Sequence, residues 1–104
     1  MPTPAIAEPK IRPTTEQKPK LAPHYRVLIH NDDVTPMDFV VGVLREIFKK
    51  GVTDAMQIML TAHFTGVALV VVLPLEEAEL RVQQAHSVAR TAKYPLTFSY
   101  EPCE

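Results

Sequence analysis

His30-Asn31-Asp32-Asp33-Val34-Thr35-Pro36-Met37-Asp38-Phe39 carries the chain from an apolar strand, through a polar turn, into an amphipathic helix. Thr35 is a favoured N-cap residue, Pro36 suits the first helical position, and Asp38 has the capping-box spacing from Thr35. A helix is therefore predicted from Pro36. Asn31, Asp32 and Asp33 stand just before that N-terminus, where the partial positive charge of the helix end keeps carboxylates ionised. In an extended turn, Asn31 and Asp33 point to one side and Asp32 to the other. One amide and one carboxylate then converge.

Upstream, Tyr25-Arg26-Val27-Leu28-Ile29-His30 reads as a strand with Tyr25, Val27 and Ile29 on one face. Downstream, Met37, Val40, Val41, Leu44, Ile47 and Phe48 recur at helical spacing, and Lys49-Lys50-Gly51 supplies terminal cations and a C-cap glycine. Thr53 is expected to cap a second helix from Asp54 to Phe64, with Met56, Met59, Leu60 and His63 on its apolar face and Gly66 ending it. Val67-Ala68-Leu69-Val70-Val71-Val72-Leu73 reads as a central strand buried on both faces. Pro74 opens a third helix with Glu76 and Glu77 in its first turn and a stripe of Leu75, Ala78, Val82, Ala85 and Ala89, ending near Lys93. After Pro95, Leu96, Phe98 and Tyr100 alternate with polar residues in a final half-buried strand. The order is βααβαβ: an α+β fold, a two-layer α/β sandwich with one three-stranded sheet covered by three helices.

Length and composition bound the function. A chain of 104 residues, 46% of them apolar, buries one core. A net charge of -1 and a pI near 6.4 leave no basic footprint for nucleic acid. The single cysteine, Cys103, allows no internal disulfide and no cysteine zinc site, which fits a reducing cytoplasm. No apolar run approaches the ~20 residues of a membrane span, and the start of the chain lacks the apolar core of a secretory signal. Residues 1–23 hold Pro2, Pro4, Pro9, Pro13, Pro19 and Pro23 without hydrophobic periodicity, and read as a disordered extension before a core domain over residues 24–104. Its Lys10, Arg12, Lys18 and Lys20 leave two readings open, a solvated tail or an arm that a partner engages.

Phosphate-binding loops, nucleophile elbows, His-Glu-x-x-His and Cys-x-x-Cys pairs are absent. His30, Asp32, Asp33 and His63 have the chemistry of a metal site, though their spacing does not demand one. Taken singly, Asn31-Asp32-Asp33 is an ordinary Asx turn, His63 a core histidine, and Met37, Met56 and Met59 gap-filling core. Together they describe a cleft. Met37 and Val40 share one helix face, Met59, Ala62 and His63 one side of the next helix, and the acidic turn forms the mouth. An apolar well with a carboxylate, an amide oxygen and an imidazole at its rim is complementary to the first residue of a peptide. The ammonium group brings three donors and a charge that needs an anionic partner once desolvated, and the side chain fills the well.

These residues also resemble a known family. Asn31-Asp32-Asp33-x-Thr35-Pro36-Met37-Asp38-Phe39-Val40, then Met59-x-x-Ala62-His63-x-x-Gly66, then Pro95-Leu96, are similar to the ClpS adaptors, in order and spacing from about Tyr25 to Glu101. The resemblance implies the fold of the ribosomal stalk protein C-terminal domain and a non-enzymatic monomer that needs no cofactor and binds no metal. It implies recognition of N-degrons, proteins beginning with Leu, Phe, Tyr or Trp, and their delivery to the N-terminal domain of a ClpA- or ClpC-type AAA+ unfoldase for degradation by the Clp protease. By position, Asn31, Asp33 and His63 would hold the α-amino group, with Asp32 and Thr35 shaping neighbouring contacts. Met37, Val40, Met59, Ala62 and Leu96 would line the side-chain pocket, Glu76 and Arg81 would meet the unfoldase, and the N-terminal arm would help hand over substrate. Ala62 stands where many relatives carry a larger aliphatic residue, which implies a slightly wider pocket. Met37, like the family's gatekeeping methionine, implies exclusion of β-branched first residues. If His63 accepts from the ammonium, affinity falls as pH drops through the range in which histidines titrate. Two other classes compete with this reading. A small metal-dependent hydrolase would use Asp32, Asp33 and His63, and a ribosome-associated module would have no peptide pocket.

Overall fold

In a computed structural model, residues 23–103 are described, and they follow the order β1 (His24–His30), α1 (Met37–Glu46), α2 (Val52–Thr65), β2 (Val67–Pro74), α3 (Leu75–Thr91), β3 (Thr97–Pro102). The expected α+β architecture is present. The extension read over residues 1–23 lies, apart from Pro23, outside the described residues.

The sheet order is β2-β1-β3, with both pairings antiparallel. β1 is central, pairing with β2 along one edge and β3 along the other, and its side chains alternate between the faces: Val27 and Ile29 are 0% and 1% exposed, whereas Arg26 and Leu28 point to the other face. Ile29 aligns with Ala68 on one side and Phe98 on the other, setting one row of the core. The register of β1 with β2 shifts at Val27/Leu28, where β2 contributes Val70 as an extra residue.

β2 corrects the expectation of a central strand buried on both faces. It is an edge strand, with Ala68 and Val70 buried and Val67, Leu69 and Val72 exposed. A continuous apolar run does not reveal how many faces are covered. The helices pack on the face carrying Val27, Ile29, Val70 and Phe98 and leave the opposite face open. α3 presents Ala78, Ala85 and Ala89, all 0% exposed, so its backbone approaches the sheet closely.

Two helix ends also differ from expectation. Gly51 does not cap α1; it is the N-cap of α2, which starts at Val52 rather than after Thr53. α1 ends instead at Ile47, and Lys49 takes the left-handed turn at φ 61°. α3 closes the same way, with Lys93 at φ 67° and the amides of Lys93 and Tyr94 donating to the carbonyls of Arg90 and Ala89. This is a Schellman arrangement with lysine where glycine is usual. Lys93→Gly is therefore expected to raise stability by about 1 kcal/mol, measurable as a higher urea midpoint. A lower midpoint would show that the Lys93 side chain contributes more than its backbone conformation costs.

No helix among the described residues is long and apolar enough to cross a membrane.

Candidate functional site: the turn between β1 and α1

The turn after β1 is built by Asp32. Its Oδ1 accepts the N–H groups of Val34 and Thr35 at 2.8 and 2.7 Å, and its Oδ2 accepts the Thr35 hydroxyl at 2.9 Å. Thr35 is thus occupied within the turn, and Pro36, not Thr35, is the N-cap of α1, without a side-chain cap. The expected capping box is absent: Asp38 Oδ1 accepts the N–H of Phe39. A carboxylate that satisfies three donors in the turn replaces the cap, because the Val34 and Thr35 amides just before the helix lie within its reach.

Burial raises the Asp32 pKa, but the Thr35 and Val34 amides, the Thr35 hydroxyl and the charge of Arg90 outweigh it and hold the carboxyl below its ordinary range. A depressed folded-state pKa means that this stabilisation is fully present above the unfolded value of ~3.9 and is lost as pH falls through the folded value. Asp32→Ala is expected to cost about 2 kcal/mol at pH 7 and progressively less as the carboxylate is protonated in acid. Equal denaturant midpoints for variant and wild type at pH 7 would contradict this.

Asn31 and Asp33 flank Asp32 and are both exposed, as the alternation of an extended turn requires. Among the described residues, neither oxygen of Asp33 accepts a hydrogen bond. The Asn31 N–H donates to the carbonyl of Gly66 at 2.9 Å. Gly66, at φ 96°, is the C-cap of α2, so this bond fastens the acidic turn to the helix end that carries Ala62 and His63. The His63 ring is exposed and meets Phe64 edge-on at 5.0 Å between centroids.

The apolar face of α2 differs from expectation. The buried stripe is Ala55, Met59 and Ala62, whereas Met56, Leu60 and His63 are exposed. Two stripes overlap on this helix, and the one with small residues is the one that packs, because alanines admit a closer neighbour. Val40, Met59, Ala62 and Leu96 all belong to the buried cluster, at 9%, 7%, 3% and 1% exposure. Met37 lies one turn before Val40 and is 45% exposed.

Two arginines hold this arrangement. Arg90 donates to the carbonyls of Tyr94 and Leu96 at 2.8 and 2.9 Å, fixing the segment that presents Leu96. Arg81 donates to the Ile47 carbonyl at the end of α1 and pairs with Glu77, so it is more than a solvated charge; Glu76 is exposed in the first turn of α3. Arg90 escaped the reading of the sequence, although a cation in a last helical turn followed by loop carbonyls is a recognised signal. His86 is a second addition. The Phe98 N–H donates to its Nε2, and burial and the Arg90 charge push the imidazole below its ordinary value, so the neutral ring is the form that fits.

The metal-site residues do not converge. His30 Nε2 is bonded to Ser99 Oγ across the strands, Asp32 is committed to its turn, and no three His, Cys, Asp or Glu side chains among the described residues are grouped to hold an ion.

Comparison with known proteins gives the family of the chain. The family model described as "ATP-dependent Clp protease adaptor protein ClpS" matches residues 20–99. The chain is 45% identical over 89 residues to the ATP-dependent Clp protease adapter protein ClpS of Myxococcus xanthus, covering 86% of this chain and 83% of that one. It is 49% identical over 92 residues to the protein of the same name from Maricaulis maris, covering 88% and 81%. The structure of Agrobacterium tumefaciens ClpS2 bound to L-phenylalaninamide superposes with a TM-score of 0.76 at 36% identity, covering 79% of this chain and 99% of that one. The chain belongs to the ClpS family, the adaptors of the ATP-dependent Clp protease, which are not enzymes.

Proposed function

We propose that this adaptor reads the first residue of its substrates and delivers proteins beginning with Leu, Phe, Tyr or Trp to the N-terminal domain of a ClpA- or ClpC-type AAA+ unfoldase in the cytoplasm, acting as a monomer. The observation that carries the reading is the Asn31 N–H to Gly66 carbonyl bond, which brings the exposed amide and carboxylate of Asn31 and Asp33 to the end of α2 that bears His63. An α-ammonium group there has acceptors for its three donors. Asp32 and Thr35, bonded to each other, act by keeping the turn in shape. Met37, Val40, Met59, Ala62 and Leu96 form the well, Met37 being the one exposed enough to move with an entering side chain. The bound phenylalaninamide of the Agrobacterium ClpS2 has this chemistry, a free amine next to a bulky apolar side chain. Glu76 and Arg81 are the proposed unfoldase contact, Arg81 through the donors left over from Ile47 and Glu77.

Fluorescent peptides differing only in their first residue test the reading. Leu, Phe, Tyr and Trp are expected to bind at about micromolar Kd, and Ile, Val and Arg at least about tenfold more weakly, because a branch at Cβ strikes Met37 and a guanidinium loses its solvation in the well. Equal binding of all seven would overturn the proposal.

A further inference from the structure

Asp38, Gly42 and Glu46 follow one another at i, i+4 and i+8 on α1, on the face opposite Met37, Val40 and Leu44. With Phe39, Ile47 and, from α3, Val88, they line a cleft of about 430 Å3 whose walls are almost wholly apolar. Val88 is left 42% exposed. Gly42 lies inside a helix, where glycine weakens the element. A Cβ at this position would meet nothing within 4 Å, so packing within the chain does not require glycine.

The charges are as distinctive as the walls. Asp38 and Glu46 are exposed and bracket Gly42, about 12 Å apart along the helix axis. Neither forms an ion pair among the described residues, and the nearby Arg81 is engaged by the Ile47 carbonyl and Glu77. Asp38 Oδ1 accepts its neighbour's N–H and leaves Oδ2 available.

We propose that this cleft is a second docking site, separate from the amine site, for a segment of a partner protein that presents a bulky apolar side chain between two basic ones. The apolar side chain displaces water from Phe39, Ile47 and Val88. The missing Cβ of Gly42 lets the partner's main chain approach α1. The two carboxylates take an ammonium or guanidinium group each. In an extended segment, residues i and i+4 point the same way and lie about 13 Å apart, which matches the spacing of the two acids, with residue i+2 facing the cleft between them.

The test is an amide NMR titration of the full chain with acetyl-Gly-Lys-Ala-Leu-Ala-Lys-Gly-amide, whose blocked N-terminus keeps it out of the amine site, and with the same peptide carrying Glu for both Lys. The lysine peptide is expected to give saturable shifts at Gly42, Val43 and Val88, with an affinity about tenfold or more above that of the glutamate peptide. Glu46→Lys and Gly42→Leu should each abolish those shifts while leaving binding of a Phe-first peptide unchanged. Gly42→Leu, which fills the cleft and improves the helix, should also melt at higher temperature, so its loss of binding is not loss of fold. Equal shifts from both peptides, shifts confined to Asn31, Asp33 and His63, or undiminished binding by Gly42→Leu would overturn the proposal. Shifts that grow with protein concentration alone would assign the cleft to a second copy of the chain. None of these results bears on whether the amine site works.

Discussion

Acetylating the first residue of a Phe-first peptide is expected to weaken its binding by about 30-fold or more, and Asp33→Ala should have a comparable effect. The reason is electrostatic. A free N-terminus has a reference pKa of ~8 and is largely charged at neutral pH, and truncating one partner of a hydrogen-bonded charge pair costs about 2–5 kcal/mol. Asp33 is exposed in the free protein, which places its effect toward the lower end of that range. Because Asp33 bonds to no described side chain, Asp33→Ala should leave the thermal midpoint unchanged; Asp32→Ala, by contrast, removes three hydrogen bonds from the turn. Calorimetric titration separates the cases. An acetylated peptide bound within about threefold of the free one would mean that the polar turn is a structural device only.

Leu44→Ala should destabilise the fold by about 3 kcal/mol, a fall of roughly 15 °C in thermal midpoint for a domain of this size. Leu44 is 0% exposed at the centre of the core, between the sheet and the helices. Removing its branched end leaves a cavity that the helix backbone cannot close, so loss of contacts adds to the lost transfer energy. Val40 precedes it by one turn on the same face, so the damage reaches the proposed well as well as the core. Scanning calorimetry decides the matter. A fall of less than about 1 kcal/mol would mean that α1 can shift to refill the space.

The contrast between these residues shows what was legible in the sequence. Val27, Ile29, Phe98 and the alanines of α3 declare their burial by periodicity alone, and they pack as that periodicity demands. β2 did not declare its position, because seven apolar residues in a row read the same whether one face or both are covered. The helix ends were misplaced where chemistry at one residue was replaced by chemistry at another: Asp32 for the Thr35 cap, Lys49 for the Gly51 cap. Asn31, Asp33, Met59 and Ala62 were visible as types in a pattern. Their relation to His63 depends on the Asn31 to Gly66 bond, a contact between distant segments that no local pattern encodes. The bond from Arg81 to the Ile47 carbonyl and the role of Arg90 were hidden for the same reason, since each acts on carbonyls outside its own helix.

The most direct test of the adaptor reading is degradation of a Phe-first fluorescent protein by a reconstituted ClpA or ClpC unfoldase with its protease, with and without this chain. The reading predicts that the full chain accelerates loss of fluorescence. It also predicts that Asp33→Ala abolishes the acceleration by failing to bind substrate, and that Glu76→Lys abolishes it while still binding the Phe-first peptide. A rate that is the same with and without the chain, for a substrate that it demonstrably binds, would contradict delivery.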